Sequence, residues 1–115
     1  MRIVYVPVEG LPDIRHIVHS VEKLQELVGG LLDRMELMPG IDVWFNDEGM
    51  INGMPLTRGI RHIFETIPIF GPFVICGHDG KGNTLGLTSA QAEFWIKRVV
   101  AFAPVPSPAP SETPN

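Results

Sequence analysis

The chain is predicted to be an α+β domain with a mostly antiparallel sheet and three helices, on three observations. Short runs of alternating apolar residues come in pairs separated by turn residues, as in Leu32–Met38 and Ile41–Phe45 around Pro39-Gly40. Three segments carry apolar residues at helical spacing, without the regular strand–helix alternation of a parallel sheet. From Ala103 to Asn115 proline alternates with Ala, Val and Ser, at Pro104, Pro106, Pro108 and Pro110. Such a stretch cannot bury enough apolar surface to offset its ordering entropy, so it is expected to be extended or disordered. The folded unit is then residues 1–102, one α+β domain, with 103–115 a Pro-rich tail.

Each element has a local reason. Arg2 to Pro7 is β-branched and aromatic and reads as a strand. Glu9-Gly10-Leu11-Pro12-Asp13 turns the chain into a second strand, Ile14 to Val18, which closes a hairpin. Ser20 offers an N-cap to a helix bearing Val21, Leu24, Leu27 and Val28 on one face, and Gly29-Gly30 stops it. The hairpin around Pro39-Gly40 follows, then the turn Asn46-Asp47-Glu48-Gly49. Met50-Ile51-Asn52 reads as a short returning strand, ended by Gly53 and Pro55. Thr57 caps a short helix, Arg58 to Glu65, with Ile60, Ile63 and Phe64 on one face. Phe73-Val74-Ile75-Cys76 is apolar throughout and bounded by glycines, hence a central buried strand. Residues 77–86 form a glycine-rich loop. Thr88-Ser89-Ala90-Gln91 matches a capping box and opens a final helix to about Ala101, with Ala92, Trp95, Ile96, Val99 and Phe102 on one face.

Composition narrows the function classes. The chain has 115 residues, 44% of them hydrophobic and 19% charged, which fits one globular domain and no separate cofactor module. Nine Lys and Arg against 13 Asp and Glu give a net charge of −4, so binding nucleic acid by phosphate neutralisation is not favoured. The single cysteine, Cys76, rules out an intrachain disulfide framework. The first residues are apolar for too short a run to act as a signal peptide, and no apolar run approaches membrane-spanning length. A cytoplasmic protein is expected. A domain of this size buries roughly 65% of its unfolded surface, which leaves little interior for a deep cavity and directs function to the surface.

Several segments resemble a known family in their order. Leu24-Gln25-Glu26-Leu27-Val28-Gly29-Gly30 is followed by Asn46-Asp47-Glu48-Gly49, Gly53-Met54-Pro55, Phe73-Val74-Ile75-Cys76-Gly77, Asp79-Gly80 and Leu87-Thr88. Over roughly residues 3–100 the chain resembles the bacterial and phage family catalogued as domain of unknown function 3846. Thr57-Arg58 stands where that family usually carries Asn, and the loop at Lys81-Gly82-Asn83 is individual to this chain. The resemblance implies a home on actinobacterial genomes, plasmids and phages, and no activity. A host-interaction role is an expectation by that association alone.

The residues themselves offer two surfaces for function. Met35, Met38, Met50 and Met54 bracket Trp44, and methionines suit adaptable binding surfaces as well as small cores. If Met38 and Trp44 face outward with Met54, they form an apolar patch for a host protein or for a second copy of the chain. The loop Gly77 to Thr84 is the other. Its glycines free backbone amides, and His78, Asp79, Lys81 and Asn83 supply charge and hydrogen bonds for a phosphate or nucleotide, with Arg58 and Arg61 as helpers. It lacks the Gly-Lys-Ser/Thr ending of a Walker A loop, and a hairpin connection explains its glycines as well.

Catalytic and metal chemistry are not expected. His16 and His19 fall on opposite faces; Cys76 and His78 share one, but two ligands do not make a zinc site. Cys76 reads as core and His78 as solvated. Asp47 and Glu48 are adjacent turn residues, Ser20 and Ser89 start helices, and no nucleophile–base constellation is evident. The sequence thus leans toward a non-enzymatic binding protein without cofactor or metal, engaging a protein through Met38, Trp44 and Met54. The alternative is a small-molecule binder using loop 77–84.

Overall fold

The computed structural model describes residues 1–102; the Pro-rich tail expected at 103–115 lies outside the described residues. The fold is α+β with antiparallel sheets. It comprises β1 (Arg2–Val6), β2 (Asp13–His16), α1 (Val21–Val28), β3 (Leu32–Met38), β4 (Ile41–Asn46), β5 (Arg58–His62), β6 (Glu65–Ile69), β7 (Phe73–His78), β8 (Thr84–Leu85), α2 (Ser89–Ile96) and β9 (Val99–Ala101). The main sheet has the order β2-β1-β7-β4-β3, with β8 pairing the end of β7. A second sheet has the order β6-β5-β9. Among the described residues no helix is long and apolar enough to cross a membrane.

Strand alternation sorts the main sheet's side chains onto two cores. Val4, Val6, Ile41, Val43, Phe73 and Ile75 face the second sheet and α2, where Ile60, Ile69, Ala92 and Trp95 complete one cluster. Ile3, Val74 and Cys76 face the other way, onto Leu24, Leu27 and Val28 of α1. Because β7 contributes to both clusters, its residues Phe73–Cys76 are wholly buried, as an unbroken apolar strand requires.

Both α1 caps form as the sequence dictates. Ser20 Oγ accepts from the Lys23 amide at 3.0 Å, and Gly29 closes the helix with φ of 83°. In α2, Thr88 and Gln91 satisfy each other's backbone amides, at 2.8 and 3.1 Å.

Among the described residues two helices form rather than three. Residues 58–65 do not form a helix; they enter the β5–β6 hairpin, with Ile60 paired to Ile67 and both turned toward the core. Gly59 and the β-branched Thr66, Ile67 and Ile69 disfavour a helix, and Pro68 is tolerated because β6 is an edge strand. The final helix ends at Ile96 instead of near Ala101, since Val99 and Val100 continue as β9 and cover the free edge of β5. Residues 50–52 are turns, not a strand, and the second strand stops at His16.

The segments around Gly30 and Asn46 meet in space. The Asn46 side chain, 4% exposed, donates from Nδ2 to the Val28 carbonyl at 3.4 Å and accepts from the Glu48 amide at 2.8 Å. It therefore ties the end of α1 to the turn after β4. A Cβ on Gly30 would sit 2.8 Å from that Nδ2, so no larger residue fits without displacing the tie. Removing the Asn46 amide strands buried backbone groups, so Asn46→Ala is expected to cost about 1–3 kcal/mol in urea unfolding, with an unchanged m value.

Candidate functional site

On the α1 face, β3, β4 and β7 lay out a lattice. Glu36 lies opposite Asp42, and Asp42 opposite Cys76; Arg34 lies opposite Trp44, and Trp44 opposite Val74. His78 follows Cys76 by two residues and so projects on the same face. With eight residues, α1 covers Val74, Cys76 and part of Trp44. Beyond it the sheet opens into a polar pocket of about 270 Å³ lined by Arg34, Glu36, Asp42, His78 and the loop Asp79-Gly80-Gly82.

The floor of this pocket is an unusually placed acid. Asp42 has no solvent exposure. Its Oδ1 lies 2.9 Å from His78 Nδ1, and its Oδ2 lies 3.5 Å from Arg34 Nη1. Both are within ion-pair distance, Arg34 as a fixed cation and His78 when protonated, but neither is a hydrogen bond: the first has the length without the alignment, and the second is long. Among the described residues, the buried side-chain polar atoms without a hydrogen-bond partner are both Asp42 oxygens and His78 Nδ1, at this pocket, and Trp44 Nε1, on the neighbouring part of the sheet against the α1 cluster. His78 Nε2 reaches Glu36 Oε2 at 3.1 Å. The His78 side chain is only 16% exposed, which corrects its expected place in solvent. Glu36 and Asp42 were not identified from sequence as companions of His78.

The glycine-rich loop is already satisfied internally. Asp79 Oδ1 accepts from the Lys81 and Asn83 amides at 2.8 and 2.9 Å, and its Oδ2 from Asn83 Nδ2 at 3.0 Å. These bonds, the Asn83 side chain foremost, hold the Asp79 carboxyl below the usual carboxylate range. The amides that would cradle a phosphate thus bind the chain's own carboxylate. Lys81 is exposed on this loop. Arg58 is engaged elsewhere, donating from Nη2 to the Gly10 carbonyl. Arg61 projects from the opposite side of β5, since it lies three residues on in a strand rather than on a helix. The structure therefore does not gather Arg58 and Arg61 with the loop.

The expected apolar patch is also divided. Trp44 is half-buried on the α1 face, beneath the Arg34 guanidinium at 5.8 Å. Met38 lies opposite Ile41 on the other face. Met54 packs over Gly71 so closely that a Cβ there would meet its sulfur at 2.5 Å. Of the three, only Met38 borders a continuous apolar surface. It lines a groove of about 330 Å³ with Ile41, Phe94 and Trp95, and an adjoining one of about 220 Å³ with Ile63, Phe94 and Arg98. Phe94 is 51% exposed, Ile63 68% and Phe64 99%. Arg98 lies 4.9 Å over the Phe94 ring and forms part of the polar rim. A third cavity, about 210 Å³ between the two sheets, is lined chiefly by apolar residues such as Met35, Phe45 and Ile67.

Cys76, between Asp42 and the core, is a packing residue as expected. Burial pushes its thiol up to about 12, and the facing Asp42 carboxylate adds to the shift. The thiol therefore stays protonated and inert at neutral pH. Ellman's reagent at pH 8 is expected to leave the native thiol untouched and to titrate one equivalent after unfolding.

No curated protein and no solved structure matches the chain. A family model does match, over residues 1–100, and its span takes in β1 through most of β9, both cores and both surfaces described above. The chain accordingly belongs to the family described as Domain of unknown function (DUF3846).

Proposed function

We propose that this chain is a non-enzymatic binding protein that engages a protein partner through the apolar surface of Met38, Ile63, Phe64 and Phe94. The reading is carried by the tip of the β5–β6 hairpin. His62 pairs with Glu65, which leaves Ile63-Phe64 as a two-residue loop. Ile63 has φ of 44° and is the only non-glycine residue at positive φ among the described residues. A β-branched residue is poorly suited to that conformation, which costs on the order of 1–3 kcal/mol. Glycine, or a small polar residue, would serve the turn better. Phe64 beside it is almost wholly in water. Two exposed apolar residues, one of them also set against turn geometry, are accounted for by a contact they make elsewhere.

The grooves beside the tip extend this surface, and Arg98, His62 and Gln91 supply its polar rim. The phosphate-binding alternative is the weaker reading, because the loop amides of Lys81 and Asn83 already serve Asp79. A host protein as the partner and a phage or mobile-element source belong to this proposal and rest on the family resemblance alone, while a cytoplasmic setting, also part of it, rests on the single cysteine and the short apolar runs of the sequence.

The test is site-specific crosslinking in cells. A benzoylphenylalanine placed at Phe64 is expected to give a discrete protein adduct that Phe94→Glu abolishes; one at Leu11, 85% exposed in the β1–β2 loop, gives none. An adduct of twice the chain's mass would name a second copy as the partner. Identical adducts from both positions, or none from position 64, contradict the proposal. Because the tip is strained, Ile63→Gly is also expected to raise Tm while reducing the adduct.

A further inference from the structure

The geometry points to a divalent transition-metal site formed by Glu36, Asp42 and His78 at the floor of the polar pocket. One ligand atom from each of these residues lies within 4.8 Å of the others. Donors bound to one ion at about 2.0–2.2 Å stand roughly 3–4.4 Å apart, so small side-chain adjustments bring all three into range. Asp42 makes this more than a cluster of acids. Its carboxylate is fully buried, faces the pocket, and has no hydrogen-bond partner on either oxygen, with the Arg34 guanidinium at 3.5 Å and the His78 imidazole at 2.9 Å as its only close polar neighbours among the described ion pairs. A buried carboxylate left in that state is strongly unfavourable, and a directly bound cation is what satisfies it. The orphaned Nδ1 of His78 beside it is a second donor without a partner.

Charge favours a cation over an anion. Glu36, Asp42 and Asp79 outweigh Arg34 in the pocket lining by two negative charges when His78 is neutral, the form in which imidazole ligates. A divalent ion cancels that excess. Asp79 supplies field rather than a ligand, since its oxygens hold the loop. The imidazole donor selects zinc, manganese or a neighbouring first-row ion over calcium, which takes six to eight oxygens. Three protein ligands leave further coordination positions facing the pocket, where water or a ligand oxygen would bind. The site is separate from the Ile63-Phe64 surface and does not depend on it.

Titration of the metal-stripped full chain with cobalt(II), followed by its visible absorption and by displacement with zinc, tests the assignment. One ion per chain is expected. Glu36→Gln and His78→Gln, with folding checked by circular dichroism, are each expected to weaken binding at least ~10-fold. Glu36 is 54% exposed, so its substitution leaves the core intact. Absence of stoichiometric binding below millimolar cobalt, or equal affinity in both variants and the parent chain, overturns the proposal.

Discussion

The structure turns on the burial of one carboxylate. Asp42 stands in β4 between two strands, with Glu36 opposite on one side and Cys76 on the other. At that point the face changes from core to pocket. Towards Trp44 and Val74 the sheet is covered by α1; towards Glu36 and His78 it is open. An eight-residue helix is about 12 Å long, too short to cover the whole sheet face. Its length is fixed at one end by the Ser20 cap and at the other by Gly29, and Asn46 ties that end to β4. The end of α1 is thus held at Asn46, four residues along β4 from Asp42, and no residue of the helix lines the pocket.

A buried acid with no hydrogen bonds does not stabilise a fold. The strain at Ile63 has the same character: a local choice that works against stability. The two lie on different parts of the molecule. One is a polar corner on the α1 face of the main sheet; the other is an apolar hairpin tip beside α2 on the far side. Elsewhere the described chain is locally consistent, with capped helices, alternating strands and a thiol held inert by packing. Departures from that consistency are where function is to be sought.

Much of the fold could be read directly because its signals are local. Ser20, Gly29, Thr88 and Gln91 act on backbone groups within four residues. The β3–β4 hairpin and the buried β7 follow from alternation and from an uninterrupted apolar run. Residues 58–65 misled because Ile60, Ile63 and Phe64 fit a helical face, whereas the hairpin uses Ile60 for the core and the other two for its tip. Pairing with β9, far along the chain, decided the outcome. The polar site was less legible. A regular hairpin around Pro39-Gly40 sets Leu37 opposite Asp42, and it is the bulge between Glu36 and Met38 that brings Glu36 there instead. His78 joins them only through the β4–β7 register, which no local pattern specifies. The patch of Met38, Trp44 and Met54 failed for a related reason: simple alternation sets Met38 on the face of Trp44, and the bulge between Glu36 and Met38 turns it to the opposite one.

The claim on which this account rests is that Asp42 is buried without adequate compensation from its protein neighbours. The stability of Asp42→Asn in chelator-treated buffer tests it most directly, because the substitution removes the charge and keeps the shape. The account predicts a variant at least as stable as the parent chain in urea unfolding. A loss of about 3–5 kcal/mol, the cost of breaking a well-compensated buried ion pair, would contradict it and would make Arg34 and His78 the true partners of Asp42.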